Sequence, residues 1–359
     1  MTTPAELYKN AIDLNRFSNS VARRIVRTYN DLIVDAVERL AAAGTGATAT
    51  QTARYGAILA QLKTSLEGWA RTATTLSVEE LQGLVELQTR FVTNVLNGEL
   101  PDDLLLQVQS VQISPQFAQA VATIDPTTYN VVTLSDDLGA AVTGTPRPFR
   151  LEIGDGTTIT LPNGATLAAS YRRLAGKQAE VFTKEVRNGL LLGESSDKIA
   201  RRLRRQLIAV PNNQIKAMVR TSVNQVANAA SQAVYSQNQK ITKRYRYIAT
   251  LDSRTSAICR ALDGRTFEYN KGPTPPQHFN CRSTTVPIVD YKGLGIPPPK
   301  PGKRRSSGGL VPASQTYGQW LFDQSKEVQA DVLGAKQVPY FNMLSRKYGP
   351  SVAIRKFVS

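Results

Sequence analysis

A mainly α protein with an inserted β-hairpin arm and a small α+β Cys/His module is the fold class this sequence predicts. Three observations point there. Apolar residues recur at helical spacing through the first hundred positions and again from 168 onward. One stretch between them alternates like a strand and carries turn dipeptides. Both cysteines and the single histidine fall between positions 259 and 281. With 359 residues, 41% of them hydrophobic, the chain is long enough to build its own core.

Val21, Ile25, Leu32, Ala36 and Leu40 mark one face of a first helix, which GTGATATQT then breaks. Tyr55, Leu59, Leu62, Leu66 and Trp69 stripe a second. Ser77 with Glu80 reads as a capping box opening a third, along which lie Leu81, Leu84, Leu87, Phe91 and Leu96. Residues 1–100 are therefore predicted as a helical domain of three antiparallel helices. Residues 101–170 read as a β-rich arm or connector, with a hairpin from Arg150 to Leu167 marked by Asp-Gly and Asn-Gly.

Residues 171–290 form the next predicted domain. Two helices flank a turn near Gly193, the second ending in Arg201, Arg202, Arg204 and Arg205, where cations suit a helix C-terminus. A separate helix with asparagine caps follows Pro211, carrying Ile215, Val219, Val223, Val226, Ala230 and Val234. RYRYIATLDSRT then alternates as a strand and leads into the Cys/His region. Residues 291–312, rich in Pro and Gly, read as an exposed basic linker without regular structure. Residues 313–359 read as a helical segment, two short helices broken near Gly334.

The charge is strongly asymmetric. Lys and Arg number 9 against 6 acidic residues over 1–76, 3 against 11 over 77–170, and 32 against 11 over 171–359. The net +16 thus resides in the C-terminal half, which suits a polyanion, while the acidic middle suits a different partner. Arg201, Arg202, Arg204, Arg205, Lys303, Arg304 and Arg305 are the expected contacts to the phosphates of double-stranded DNA, without reading of sequence. No run of about 18 apolar residues suggests a membrane span. The N-terminal residues lack the pattern of an export signal, and two cysteines without one fit a reducing compartment.

His278-x-x-Cys281 has the spacing with which one turn converges two side chains on a tetrahedral ion, and Cys259 can add a third donor. The position where a C-x-x-C knuckle would place its partner is Ser256, a poor zinc ligand. Structural zinc is thus a candidate cofactor on Cys259, His278 and Cys281, completed by Asp252, Asp263 or water. The same three residues are equally readable as small buried side chains and a turn histidine, or as a disulfide. Sites built on paired histidines are excluded by count, and neither a phosphate-binding G-x-x-x-x-G-K-[ST] loop nor an H-E-x-x-H helix occurs. The rival reading is a DNA-processing or thiol enzyme using Cys259, His278 and Cys281. A third is a soluble DNA-binding protein.

Several separated elements occur in one order: Arg220 and Thr221 opening a helix; Thr250, Asp252, Arg254 and Thr255; Gly264 and Phe267; then Pro275, Pro276, His278, Cys281 and Arg282. Tyr317, Trp320, Leu321, Val332, Leu333 and Gly334 follow. Over residues 170–340 this order resembles the head-morphogenesis domain of tailed-phage minor head proteins, the Mu F-like family. The departure is Ser256, where many relatives have cysteine. The resemblance implies a non-enzymatic structural protein of the virion head, present in several copies per particle and assembled in the host cytoplasm. It also implies portal and major capsid proteins as partners. Arg220, Thr221, Asp252, Arg254, Pro276 and Arg282 are then structural, with Asp252 and Arg254 pairing to organise their loop.

Overall fold

A computed structural model of the chain describes residues 3–44, 48–98, 100–101, 159–269 and 271–358. Most of the predicted connector, including the Arg150 side of the hairpin arm, lies outside these residues. Its far end is described. Thr160 and Thr166 form an antiparallel bridge around Asn163 and Gly164, and Gly164 takes φ 74° as the Asn-Gly turn requires.

The protein is mainly α, as expected. Helix α1 (Thr3–Ala42) is followed by α2 (Ala49–Asn97), which Thr48 and Gln51 open with a capping box. The break expected at Ser77 does not occur, so two long helices stand in place of the predicted three. Ser77 donates to the Ala73 carbonyl at 2.7 Å and accepts from the Tyr171 hydroxyl at 3.0 Å. Its oxygen is spent on the preceding turn and on a neighbouring helix, so nothing opens a new one.

Helices α3 (Leu167–Leu191) and α4 (Ser196–Gln237) flank the predicted turn, where Gly193 takes φ 66°. The separate helix expected after Pro211 is instead the second half of α4, which runs through the proline unbroken. A proline there leaves the carbonyl four residues earlier, that of Leu207, without its donor. The Tyr29 hydroxyl supplies one at 2.8 Å from α1, in a buried setting. Asn212 and Asn213 consequently cap nothing, and the arginines at 201–205 sit in the N-terminal third of a long helix instead of at its end.

These four helices share one apolar core. At its centre Trp69 stands edge-on between Tyr29 and Tyr171, with ring centroids 5.1 and 5.7 Å apart. Burial pushes both phenols well above their ordinary pKa.

After α4 the chain forms an antiparallel sheet in the order β2-β1-β3, from β1 (Thr242–Ile248), β2 (Thr266–Glu268) and β3 (Thr284–Val289). Along β1, Tyr245 and Tyr247 are buried while Arg244 and Arg246 are exposed, the alternation the sequence predicts. Short helix α5 (Ala257–Leu262) sits between β1 and β2.

The expected linker is partly ordered. Lys303–Ser306 and Gly309–Pro312 pair as a hairpin, β4 and β5. The C-terminal unit also has more pieces than two: α6 (Tyr317–Phe322), α7 (Lys326–Leu333), α8 (Val338–Tyr348) and α9 (Pro350–Ala353). The predicted break at Gly334 is present, at φ 85°. Tyr317, Trp320, Leu321 and Phe341 close a small core with Leu251 from the preceding module. Gly318 is required there, because a Cβ would run into the Pro350 carbonyl.

Candidate metal centre and nucleic-acid interface

Ser256, at the position where a knuckle would place a further ligand, caps a helix. Its hydroxyl accepts from the Cys259 N–H at 3.4 Å and so starts α5, which places the Cys259 side chain in the first helical turn. After α5 the chain must turn sharply back to β1. Gly264 makes that turn at φ 77°, donates to the Tyr247 carbonyl, and lies where a Cβ would come within 2.7 Å of Thr316.

The His278–Cys281 loop is fastened from outside. Asn280 sits at φ 58°, a conformation asparagine tolerates better than most residues. Its N–H donates to the Thr221 hydroxyl at 3.0 Å. From the same face of α4, Asn224 donates to the Ser283 carbonyl and Gln232 to the Thr285 hydroxyl. Thr221 thus ties this loop to α4. Its neighbour Arg220 donates twice to Asn19 on α1. Pro276 follows Pro275 through a cis bond just ahead of His278.

The three soft donors converge. Cys259 Sγ lies 3.4 Å from His278 Nε2 and 3.7 Å from Cys281 Sγ, and all three donor atoms fall within 4.8 Å of one another. Both cysteines are free thiols and buried, at 1% and 3% exposure. His278 Nδ1 lies 2.8 Å from the Phe279 carbonyl, which fixes the proton on that nitrogen and leaves Nε2 to face the sulfurs. The Tyr247 hydroxyl is 3.2 Å from Cys259 Sγ. Burial opposes ionisation of Cys281, yet hydrogen bonds from Cys259 and His278 bring its pKa well below that of an ordinary thiol. The hydrogen bond to Cys281, with burial, pushes Cys259 well up. Burial alone would lower His278, but its contact with Cys281 outweighs that and raises it.

Neither acidic residue expected as a fourth ligand is free for the task. Asp252 receives both terminal nitrogens of Arg282, at 2.5 and 2.8 Å, and holds its own loop through Thr255 and the Arg254 N–H. The expected Asp252–Arg254 pair exists at 3.5 Å, but Arg254 is 80% exposed, so Arg282 is the stronger partner. Burial pushes the Asp252 carboxyl up, and the Arg282 hydrogen bonds and charge more than offset it, leaving the pKa lowered. Asp263 is wholly buried. It accepts from the Ala249 N–H at 2.6 Å, the Tyr317 N–H at 2.6 Å and both terminal nitrogens of Arg304 at 3.1 and 3.0 Å.

That pairing corrects the expected DNA contacts. Arg304 is predicted to be exposed in a basic linker, but it is 3% exposed and serves the Asp263 carboxylate. Alternation along β4 buries it while Lys303 and Arg305 face out. Arg202 is also withdrawn, held at 2.6 Å by both Glu185 and Glu194. Arg201, Arg204 and Arg205 are exposed, the first paired with Asp197 and the second with Glu38. A better aligned set escapes a reading based on charge runs. Arg173, Lys177, Lys184 and Arg187 are all exposed on α3, with the exposed Glu180 in the same arc. At 100° per residue they fall within an arc of about 80°, over about 21 Å of helix. Spacings of four, seven and three are the signal that could reveal them.

From α3 to β3 the chain is thus continuous: two long helices lead into a small sheet module that holds the thiol–imidazole cluster. Residues 180–286 of it match a family described as Phage Mu protein F like protein, the family whose motif order the sequence resembles. The segment is thus similar to that phage protein family over less than half of the chain. It starts within α3 and ends within β3, so it includes Asp252, Cys259, His278, Cys281 and Arg282 but neither the β4–β5 hairpin nor the C-terminal unit. No curated protein and no solved structure matches the chain.

Proposed function

We propose that the protein is a minor head protein that works at the portal vertex during phage head assembly and lies against packaged DNA. The Mu F-like match over residues 180–286 is the observation that carries this reading. The cationic stripe on α3, with Arg201, Arg204, Arg205, Lys303 and Arg305, supplies non-specific phosphate contacts. Portal and major capsid proteins are its partners in this reading. Among the described residues no helix is long and apolar enough to cross a membrane.

Quantitative mass spectrometry of purified particles tests the proposal. The expected result is a reproducible low ratio of this chain to the major capsid protein, together with loss of normal heads when the chain is deleted. Absence from particles and intact heads without it would overturn the reading. DNA binding has its own test. Affinity should fall steeply with salt, and converting Arg173, Lys177, Lys184 and Arg187 to Glu should flatten the log–log slope by about 0.9 for each phosphate no longer neutralised. A thiol enzyme is the weaker reading, because both sulfurs are buried where a nucleophile needs access.

A further inference from the structure

The thiol–imidazole cluster has separations that suit a shared ion, with its three donor atoms within 4.8 Å of one another. A tetrahedral zinc ion with Zn–S of about 2.3 Å holds two thiolates about 3.8 Å apart, and with Zn–N of about 2.05 Å holds sulfur and nitrogen about 3.6 Å apart. The observed separations are 3.7 Å between the sulfurs and 3.4 Å from Cys259 Sγ to His278 Nε2. The orienting contact is also in place, since His278 Nδ1 is committed to the Phe279 carbonyl and only Nε2 faces inward. Soft thiolate and imidazole donors in this number favour zinc over harder ions.

Among the described residues no fourth cysteine, histidine or carboxylate joins the cluster. Ser256 caps α5, Asp252 is taken by Arg282, and Asp263 by Arg304. Beside the cluster there is a cavity of about 20 Å³ whose lining includes Cys259, His278, Ser256 and Ser283 together with Arg254 and Arg282. That volume holds about one water, and two hydroxyls bordering it provide polar partners. The cavity shares most of its lining with a groove of about 1090 Å³ that also takes in Arg220, Arg254 and Arg305.

We propose that this chain binds one zinc ion through Cys259 Sγ, His278 Nε2 and Cys281 Sγ, with an exchangeable water as the fourth ligand in the cavity between Ser256 and Ser283. On loading, the two thiols release their protons to solvent and the ion offsets the charge of the buried sulfurs. The fourth position opens toward the groove instead of being sealed by a thiolate.

The test uses the full chain, purified under reducing conditions and without metal-affinity resin. Elemental analysis should find one zinc per chain, absent from Cys259→Ser and Cys281→Ser variants. Because those variants also disturb the core, the wild-type stoichiometry decides the point. Metal-free protein with two titratable thiols, or with a Cys259–Cys281 disulfide, would overturn the site. Cobalt loaded in place of zinc reports the fourth ligand. Ser256→Cys should intensify the sulfur-to-cobalt absorption and slow metal loss to a chelator, and azide should alter the wild-type cobalt spectrum. An unresponsive wild-type spectrum would mean a closed site and would overturn the open position.

Discussion

The helical body and the module that follows it are held by different forces. In the body, formed by α1 to α4, the decisive contacts are apolar and aromatic, with Trp69 between Tyr29 and Tyr171 at the centre. Polar groups there repair local faults, as Tyr29 does at Pro211. In the module and the C-terminal unit the elements are short, and a three-residue strand or a six-residue helix buries little by itself. Buried polar groups instead join the pieces. Asp263 alone ties the end of β1, strand β4 and the start of α6. Small units can reach order through a few fully satisfied polar hubs, but each hub then becomes a single point of failure.

Breaking the largest hub should have the largest effect. Asp263→Ala leaves the Arg304 guanidinium buried without its carboxylate and should cost about 3–5 kcal/mol. Hydrogen exchange should show weakened protection across residues 317–354 while α1 to α4 stay protected. Trp69→Ala should give the converse pattern, with a destabilisation of about 3–5 kcal/mol centred on the helical body. A protein that loosens equally in both regions in either variant would contradict the division.

Tyr29→Phe probes a smaller fault. It orphans the Leu207 carbonyl and should cost about 1–3 kcal/mol by chemical denaturation. Adding Pro211→Ala, which restores a backbone donor, should recover most of that stability. The smallest effect is expected from acid acting on Asp252. Its carboxyl is lowered in the folded state, so its contribution is complete above the unfolded value of about 3.9 and disappears as pH falls through the lower folded value. Asp252→Asn should lower the melting temperature near neutrality, where the wild-type contribution is complete, and flatten its fall with pH in the acid range.

The helical body is legible in the sequence because periodicity reports burial directly: most of the stripe residues of α1, α2 and α4 lie in the core, although Leu87, read as part of one, is 52% exposed. Local signals with two meanings mislead. Ser77 with Glu80 has the composition of a cap, and only the position of Tyr171 shows where the hydroxyl goes. Pro211 ordinarily ends a helix, and nothing local announces that Tyr29, 182 positions away, makes its passage cheap. The Cys/His cluster is legible as a set of residues, since so few soft donors occur. The fate of its neighbours is not. A run of Lys303, Arg304 and Arg305 looks uniformly solvated until strand alternation turns the middle one inward against Asp263.

Helix α4 also acts as a ruler. Its 42 residues span about 63 Å, with Arg201 and Arg205 near one end and Thr221, Asn224 and Gln232 gripping the thiol–imidazole loop toward the other. Because Pro211 does not interrupt it, the two ends are fixed in phase as well as in separation. One residue inserted between them would shift the separation by only about 1.5 Å but would rotate one set about 100° against the other. The spacing between the positive surface and the loop is therefore a property of a single uninterrupted rod, and it is read in degrees before it is read in ångströms.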